Sequence, residues 1–116
     1  MIMKEKEEKL SLYAMQKEVD TYIQQFKIGY FSPLAQTARL TEEIGELARE
    51  VNHLYGEKTK KASEQPKTVE EELGDVLFVL ISMANSLNID LTDAFQDSMK
   101  KFNQRDSERF ERKKDQ

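Results

Sequence analysis

"TVEEELGDVLFVLISMA", residues 68 to 84, decides the fold. Its acidic opening and apolar close read as a single helix. Thr68 and Glu71 stand at capping-box spacing, where a hydroxyl and a carboxylate serve the unpaired N–H groups of a helix start. Val69, Leu73, Val76, Leu80 and Ala84 form one stripe, and Leu77, Phe78, Val79, Ile81 and Met83 fill the remaining faces. A helix that is apolar nearly all round belongs at the centre of other helices. The longest apolar run, 76 to 84, is far short of the ~20 residues needed to span a bilayer.

Working outward, the same periodicity recurs three times. Upstream, Leu40, Ile44, Leu47, Val51 and Leu54 step by 4, 3, 4 and 3. They follow "SPL", in which Ser32 can cap the helix and Pro33 takes the first position, where its missing N–H costs nothing. Earlier still, Leu12, Met15, Val19, Tyr22 and Phe26 give a stripe expected to end near Gly29, a residue tolerant of the left-handed conformation. Downstream, "NID" turns the chain with Asp90 as a cap, and Leu91, Phe95, Met99 and Phe102 carry a last helix. "YGEKTKKASEQPKT" (55–68) breaks the pattern and reads as a flexible loop, and "ERFERKKDQ" as a charged tail. No segment alternates. The expected fold is all-α: an antiparallel four-helix bundle, one domain over 1–116 with its core in 10–110.

Composition narrows the function. With 38% hydrophobic and 34% charged residues, the chain is thin in material for a core of its own, which implies burial between subunits. A net charge of −4 argues against gripping a nucleic-acid polymer, which needs a basic footprint. There is no cysteine, hence no thiolate chemistry, and "MIMKEKEEKL" is too charged for a secretory leader. No membrane association is expected, and a cytoplasmic location is.

The acids carry the chemistry. In "LTEEIGELAREV" (40–51), Glu43 and Glu46 lie one turn apart beside Ile44 and Leu47; Glu72 and Asp75 repeat this beside Leu73 and Val76. If the two helices pack together, four carboxylates converge on one spot. Like charges at this spacing cost a helix about 0.2–0.5 kcal/mol per pair, and more when desolvated. A divalent cation reverses the sign. An all-oxygen donor set favours a hard ion, Mg²⁺ or Mn²⁺, which in turn prefers phosphate oxygens as further ligands. Paired glutamates on a helix are more often a solvated face. Glu71 is explained by capping, and Glu42 and Glu50 by solvent, although Glu50 could join the edge of the cluster. A di-iron bundle would need two Glu-x-x-His pairs, and only Glu50-x-x-His53 exists.

"EEIGELA" followed by "EELGDVLFVL" resembles the MazG-like nucleotide pyrophosphohydrolases of the all-α NTP pyrophosphatase superfamily. Their ExxE, spacer, ExxD signature is matched by Glu43-x-x-Glu46 and Glu72-x-x-Asp75, and "KFNQRDSERF" (101–110) is similar to their Lys-x-x-x-Arg element through Lys101 and Arg105. The resemblance covers roughly residues 10 to 110. It implies that the four acids hold Mg²⁺ (or Mn²⁺) and act in catalysis. Lys101 and Arg105 would bind substrate phosphate, and a nucleoside triphosphate would be cleaved to a monophosphate and pyrophosphate. It also implies a homodimer or homotetramer. It does not choose a base, for which Tyr30, Phe31, Tyr55 and His53 are candidate stacking partners. The competing expectation is a non-catalytic helical module that assembles through its third helix and carries acids for solubility.

Overall fold

A computed structural model describes residues 8–56 and 67–113. Most of the expected loop (57–66), the first seven residues and the end of the charged tail lie outside the described residues. Four helices make up the fold: α1 (Leu12–Ile23), α2 (Pro33–Tyr55), α3 (Val69–Ser86) and α4 (Leu91–Asp106), with no strand among the described residues. Each start is capped by a side chain of the type that serves orphan N–H groups. Ser32 accepts from Ala35 N at 3.2 Å with Pro33 opening the helix, Thr68 accepts from Glu71 N at 3.0 Å, and Asp90 from Thr92 N at 2.8 Å. Ser11, not singled out in the sequence, does the same for α1, accepting from Ala14 N at 3.0 Å.

α1 stops at Ile23, short of Gly29. Two tight turns fill the interval, closed by Phe26 N to Ile23 O and Gly29 N to Phe26 O, each 3.1 Å. Gly29 then reverses the chain at φ 62°, a conformation that costs a glycine nothing. Phe26 is therefore off the helix, but it still meets Tyr22 edge-on at 5.4 Å.

α3 is the central element. It packs most extensively on α2 and also on α1, and the buried apolar side chains Val79, Ile81 and Ala84 all belong to it. α2 and α3 run antiparallel, as successive contacts show. His53 and Glu50 sit by Thr68 and Val69, Arg39 lies 5.8 Å over the Phe78 ring, and Gln36 Nε2 donates to Ser86 Oγ at 2.9 Å. α4 leaves α3 at 106° and rests on α1. As a result the stripes read from the sequence as core are only partly inward. Ile44, Val51 and Leu54 on α2, Leu73, Leu77 and Leu80 on α3, and Phe95, Met99 and Phe102 on α4 are exposed, Leu73 by 53% and Phe95 by 59%. No single helix is long and apolar enough to cross a membrane among the described residues.

A polar clamp fixes the corner between α3 and α4. Gln16, buried on α1, donates through Nε2 to Asn85 Oδ1 and to Ile89 O, both at 2.9 Å, and accepts from Leu91 N at 2.9 Å. Asn85 Nδ2 donates to Gln16 O at 2.9 Å and to the Tyr30 hydroxyl at 3.0 Å, and that hydroxyl donates to Asp20 Oδ1 at 2.6 Å. Buried amides satisfied this fully specify one geometry, because any other leaves a polar group unpaired. Burial, and then the bond to Asp20, push the Tyr30 phenol from 10.0 up to about 12, against the opposing bond from Asn85. The folded chain thus holds a proton that the unfolded chain has lost. This contribution to stability is fully present below pH 10.0 and is lost as pH rises towards about 12. Tyr30→Phe should cost about 1–2 kcal/mol at neutral pH through two lost hydrogen bonds. Its urea-melt stability should also fall less steeply than that of the unaltered chain over the same alkaline range.

Candidate active site

The antiparallel register of α2 and α3 sets the middle of α2 against the first two turns of α3. Counting from Gln36–Ser86 and Arg39–Phe78 along the seam leads directly to Glu43 facing Glu72 and Asp75. One carboxylate oxygen from each of these three lies within 4.8 Å of the other two. Glu72 is the buried member, with a side chain 0% exposed, while Asp75 is 49% exposed and Glu43 half-buried. Neither Glu72 oxygen has a hydrogen-bond partner. A carboxylate taken wholly out of water without a hydrogen bond is costly unless a cation compensates it.

Lys67 supplies positive charge from the residue just before the α3 cap. Its Nζ stands 3.6 Å from Glu72 Oε1 and 3.9 Å from Asp75 Oδ2, ion-pair separations too long for hydrogen bonds. Glu72 above all, then Asp75 and Glu43, hold the ammonium above its ordinary pKa, with desolvation opposing them. This residue was missed in the sequence, where it stands near the end of a loop that holds several other lysines. One signal was available: a cation directly ahead of a helix N-terminus opposes the helix dipole and needs an acidic partner.

The remaining predicted residues are distributed as follows. Glu46 is exposed and lies outside the group of three. Glu50 is buried, one heptad beyond Glu43, with its Oε2 3.7 Å from His53 Nδ1 and both side chains under 10% exposed. His53 is accordingly a core-edge residue. Lys101 and Arg105 lie on α4, away from the seam. Lys101 Nζ and the Arg105 guanidinium sit over the Phe102 ring at 5.0 and 4.8 Å, and Arg105 donates to Asp106 from Nε at 2.8 Å and Nη2 at 3.1 Å. That hydrogen bond lifts the arginine further above its ordinary pKa and lowers that of Asp106.

Along the same seam, a cavity of about 210 Å³ opens between Tyr22, Phe26, Phe31, Phe78, Gln36 and Arg39. Arg39 is one turn before Glu43, and Phe78 is close to one turn after Asp75, so the aromatic cavity and the acids are neighbours. Of the candidate stacking residues, Phe31 lines this cavity, Tyr30 lines it with its hydroxyl committed to the clamp, and Tyr55 is exposed.

Three carboxylates converging from two helices, with no nitrogen or sulfur donor among them, are suited to a hard cation and through it to phosphate. Residues 31–110 match the MazG nucleotide pyrophosphohydrolase domain. The chain is 65% identical over 101 residues to the Bacillus subtilis (strain 168) protein YpjD, covering 87% of this chain and 91% of that one. The crystal structure of YpjD superposes with a TM-score of 0.75 at 63% identity, over 84% of this chain and 99% of the other. That of the Bacillus-conserved MazG protein, a nucleotide pyrophosphohydrolase, gives 0.73 at 58% identity, over 95% and 100%. A more distant relative, the nucleoside triphosphate pyrophosphohydrolase/pyrophosphatase MazG of Thermotoga maritima, is 28% identical over 91 residues, or 68% of this chain, which spans only 36% of that protein. The chain belongs to the MazG nucleotide pyrophosphohydrolase family.

Proposed function

We propose that this protein is a Mg²⁺-dependent nucleoside triphosphate pyrophosphohydrolase, converting an NTP or dNTP to its monophosphate and pyrophosphate. The observation that carries the reading is Glu72: a fully buried carboxylate with no hydrogen bond to either oxygen, aimed at Glu43 and Asp75. A surface patch kept for solubility would not bury one of its acids. The donors fit a hard ion in chemistry and in size. Ligands on opposite sides of Mg²⁺ at ~2.1 Å lie ~4.2 Å apart, so a group already within 4.8 Å needs only a small contraction.

Glu43, Glu72 and Asp75 would hold the ion, with exposed Glu46 turning in as the fourth acid of the set. When bound, a divalent ion neutralises polyphosphate charge and makes a coordinated water more acidic. The chain itself does the rest. Glu46, the most accessible of the four, completes the ligand set or takes a proton from the water that attacks phosphorus as the bond to the pyrophosphate oxygen breaks. The aromatic cavity beside the acids receives the base, with Phe31 and Phe78 offering faces for stacking and Gln36 and Ser82 offering polar atoms. The uncovered stripes on α2, α3 and α4 favour a homodimer or homotetramer. In such an assembly, Lys101 and Arg105 would approach the phosphates from a second copy's α4.

The decisive assay incubates the purified protein with a panel of normal and modified NTPs and Mg²⁺, reading pyrophosphate against orthophosphate. Pyrophosphate is expected, and Glu72→Gln or Asp75→Asn should lower its release about a hundredfold or more. No pyrophosphate from any member of the panel would leave the helical-module reading. A second expectation concerns stability. Glu72→Gln should melt higher than the unaltered chain in chelator, by about 1 kcal/mol or more, because a buried charge is replaced by an amide of the same shape. The same variant should lose the upward shift in Tm that millimolar Mg²⁺ gives the unaltered chain.

A further inference from the structure

We propose that Lys67 is a built-in competitor of the divalent ion: its ammonium occupies the carboxylate oxygens that the ion needs and must withdraw as the ion binds. This rests on the three carboxylates being a cation site.

Three observations support it. First, the position is right. Nζ lies within 4 Å of oxygens on both Glu72 and Asp75, and the field of Glu43 reaches it too. These are the three residues whose oxygens converge. Second, the helix itself does not favour a cation at this position. Lys67 immediately precedes the Thr68 cap, at the positive end of α3, where the helix otherwise places Glu70, Glu71 and Glu72. The carboxylates beyond the cap attract the lysine against the helix dipole. Third, the hold of these two carboxylates on the ammonium is loose. Both separations exceed hydrogen-bonding distance and the side chain is 46% exposed. An ammonium on a flexible four-carbon stem is a point charge that can leave, unlike a forked guanidinium locked to a carboxylate.

The unpartnered oxygens of Glu72 explain why such a residue is useful. Removing all positive charge would leave a buried carboxylate facing two others, and the seam between α2 and α3 would be strained apart. Lys67 holds the seam in the geometry the ion requires. A dication in direct contact with the oxygens then prevails over a monocation nearly 4 Å away. The consequence is a weaker apparent affinity for the ion, in exchange for a preformed site.

Calorimetric titration of Mn²⁺ into the full-length protein tests this without reference to activity, using the unaltered chain, Lys67→Met, Lys67→Gln, Lys67→Arg and, as a control for net charge, Lys17→Met on α1. Removing an ion pair of this exposure should tighten ion binding about threefold or more in Lys67→Met and Lys67→Gln. Both should also melt lower than the unaltered chain in chelator and gain more from the ion. Lys67→Arg should bind no more tightly than the unaltered chain, and Lys17→Met should match it. Should Lys67→Met fail to fold without ion, Lys67→Gln, closer in polarity, carries the measurement. Equal or weaker binding in the neutral variants, with the unaltered chain binding normally, overturns the inference and leaves the cation site intact. Absence of ion binding in every variant removes the cation site itself, and the inference with it.

Discussion

The structure depends on one expensive feature, the burial of the Glu72 carboxylate in the seam between α2 and α3. Nothing about forming a helix requires an acid there. The capping of α3 is served by the Thr68 hydroxyl, and its packing by Val79, Ile81 and Ala84. A buried acid without hydrogen bonds lowers stability unless positive charge is brought to it. The antiparallel pairing of α2 with α3 therefore does two jobs at once. It buries apolar area further along the seam, which stabilises the pair, and it uses part of that gain to hold three carboxylates close together. Such local destabilisation, tolerated by a well-packed neighbourhood, is what a binding site for a small highly charged ligand needs.

The same seam orders the site along its length. From one end to the other it presents Glu50 with His53, then the three acids with Lys67, then the aromatic cavity, then the Gln36–Ser86 bond. Because residues three and four apart share a helix face, this order follows directly from the spacing of the residues in α2 and α3. A nucleotide has a matching polarity, with charge at one end and an aromatic base at the other. In the proposed reaction the polyphosphate would meet the acids on α2 and α3, and the base the adjacent cavity, whose walls come from these helices and from Phe26 and Phe31 in the connection between α1 and α2.

Much of this was legible in the residues. Four helices, the caps at Ser32, Thr68 and Asp90, and the central place of α3 follow from period and capping alone, which are local properties. Glu43, Glu72 and Asp75 were visible because acids beside apolar positions cannot all point away from the core. Three things were not legible. Lys67 carried one local hint, its place ahead of a helix start, but that Glu72 is buried, and so gives the lysine its importance, is a fact of how α2 packs on α3. The Gln16–Asn85–Tyr30–Asp20 clamp joins residues far apart in sequence, whose side chains are unremarkable polar groups in any window. The separation of Glu46 from the others follows from rotation about the α2 axis. Glu43 and Glu50, seven residues apart, share the inward azimuth, while Glu46 lies roughly 60° away from Glu43 at 3.6 residues per turn.

The clamp and the uncovered stripes bear on each other. A four-helix chain could bury its own stripes by folding α4 back along α3. Here Asn88 takes a left-handed φ of 60°, and Gln16 binds both Ile89 O and Leu91 N across the turn. These bonds fix the exit of α4 at 106° and place it on α1. Folding α4 over Leu73, Leu77 and Leu80 would take Ile89 O and Leu91 N away from the buried Gln16 amide, leaving that side chain only its bond to Asn85. The exposed apolar residues on three helices are thus not a failure to fold but a consequence of polar bonding at one corner. Val79, Ile81 and Ala84 are the buried apolar side chains among the described residues, a small core for a chain of this size, and that scarcity is what supports the proposed assembly through the exposed stripes.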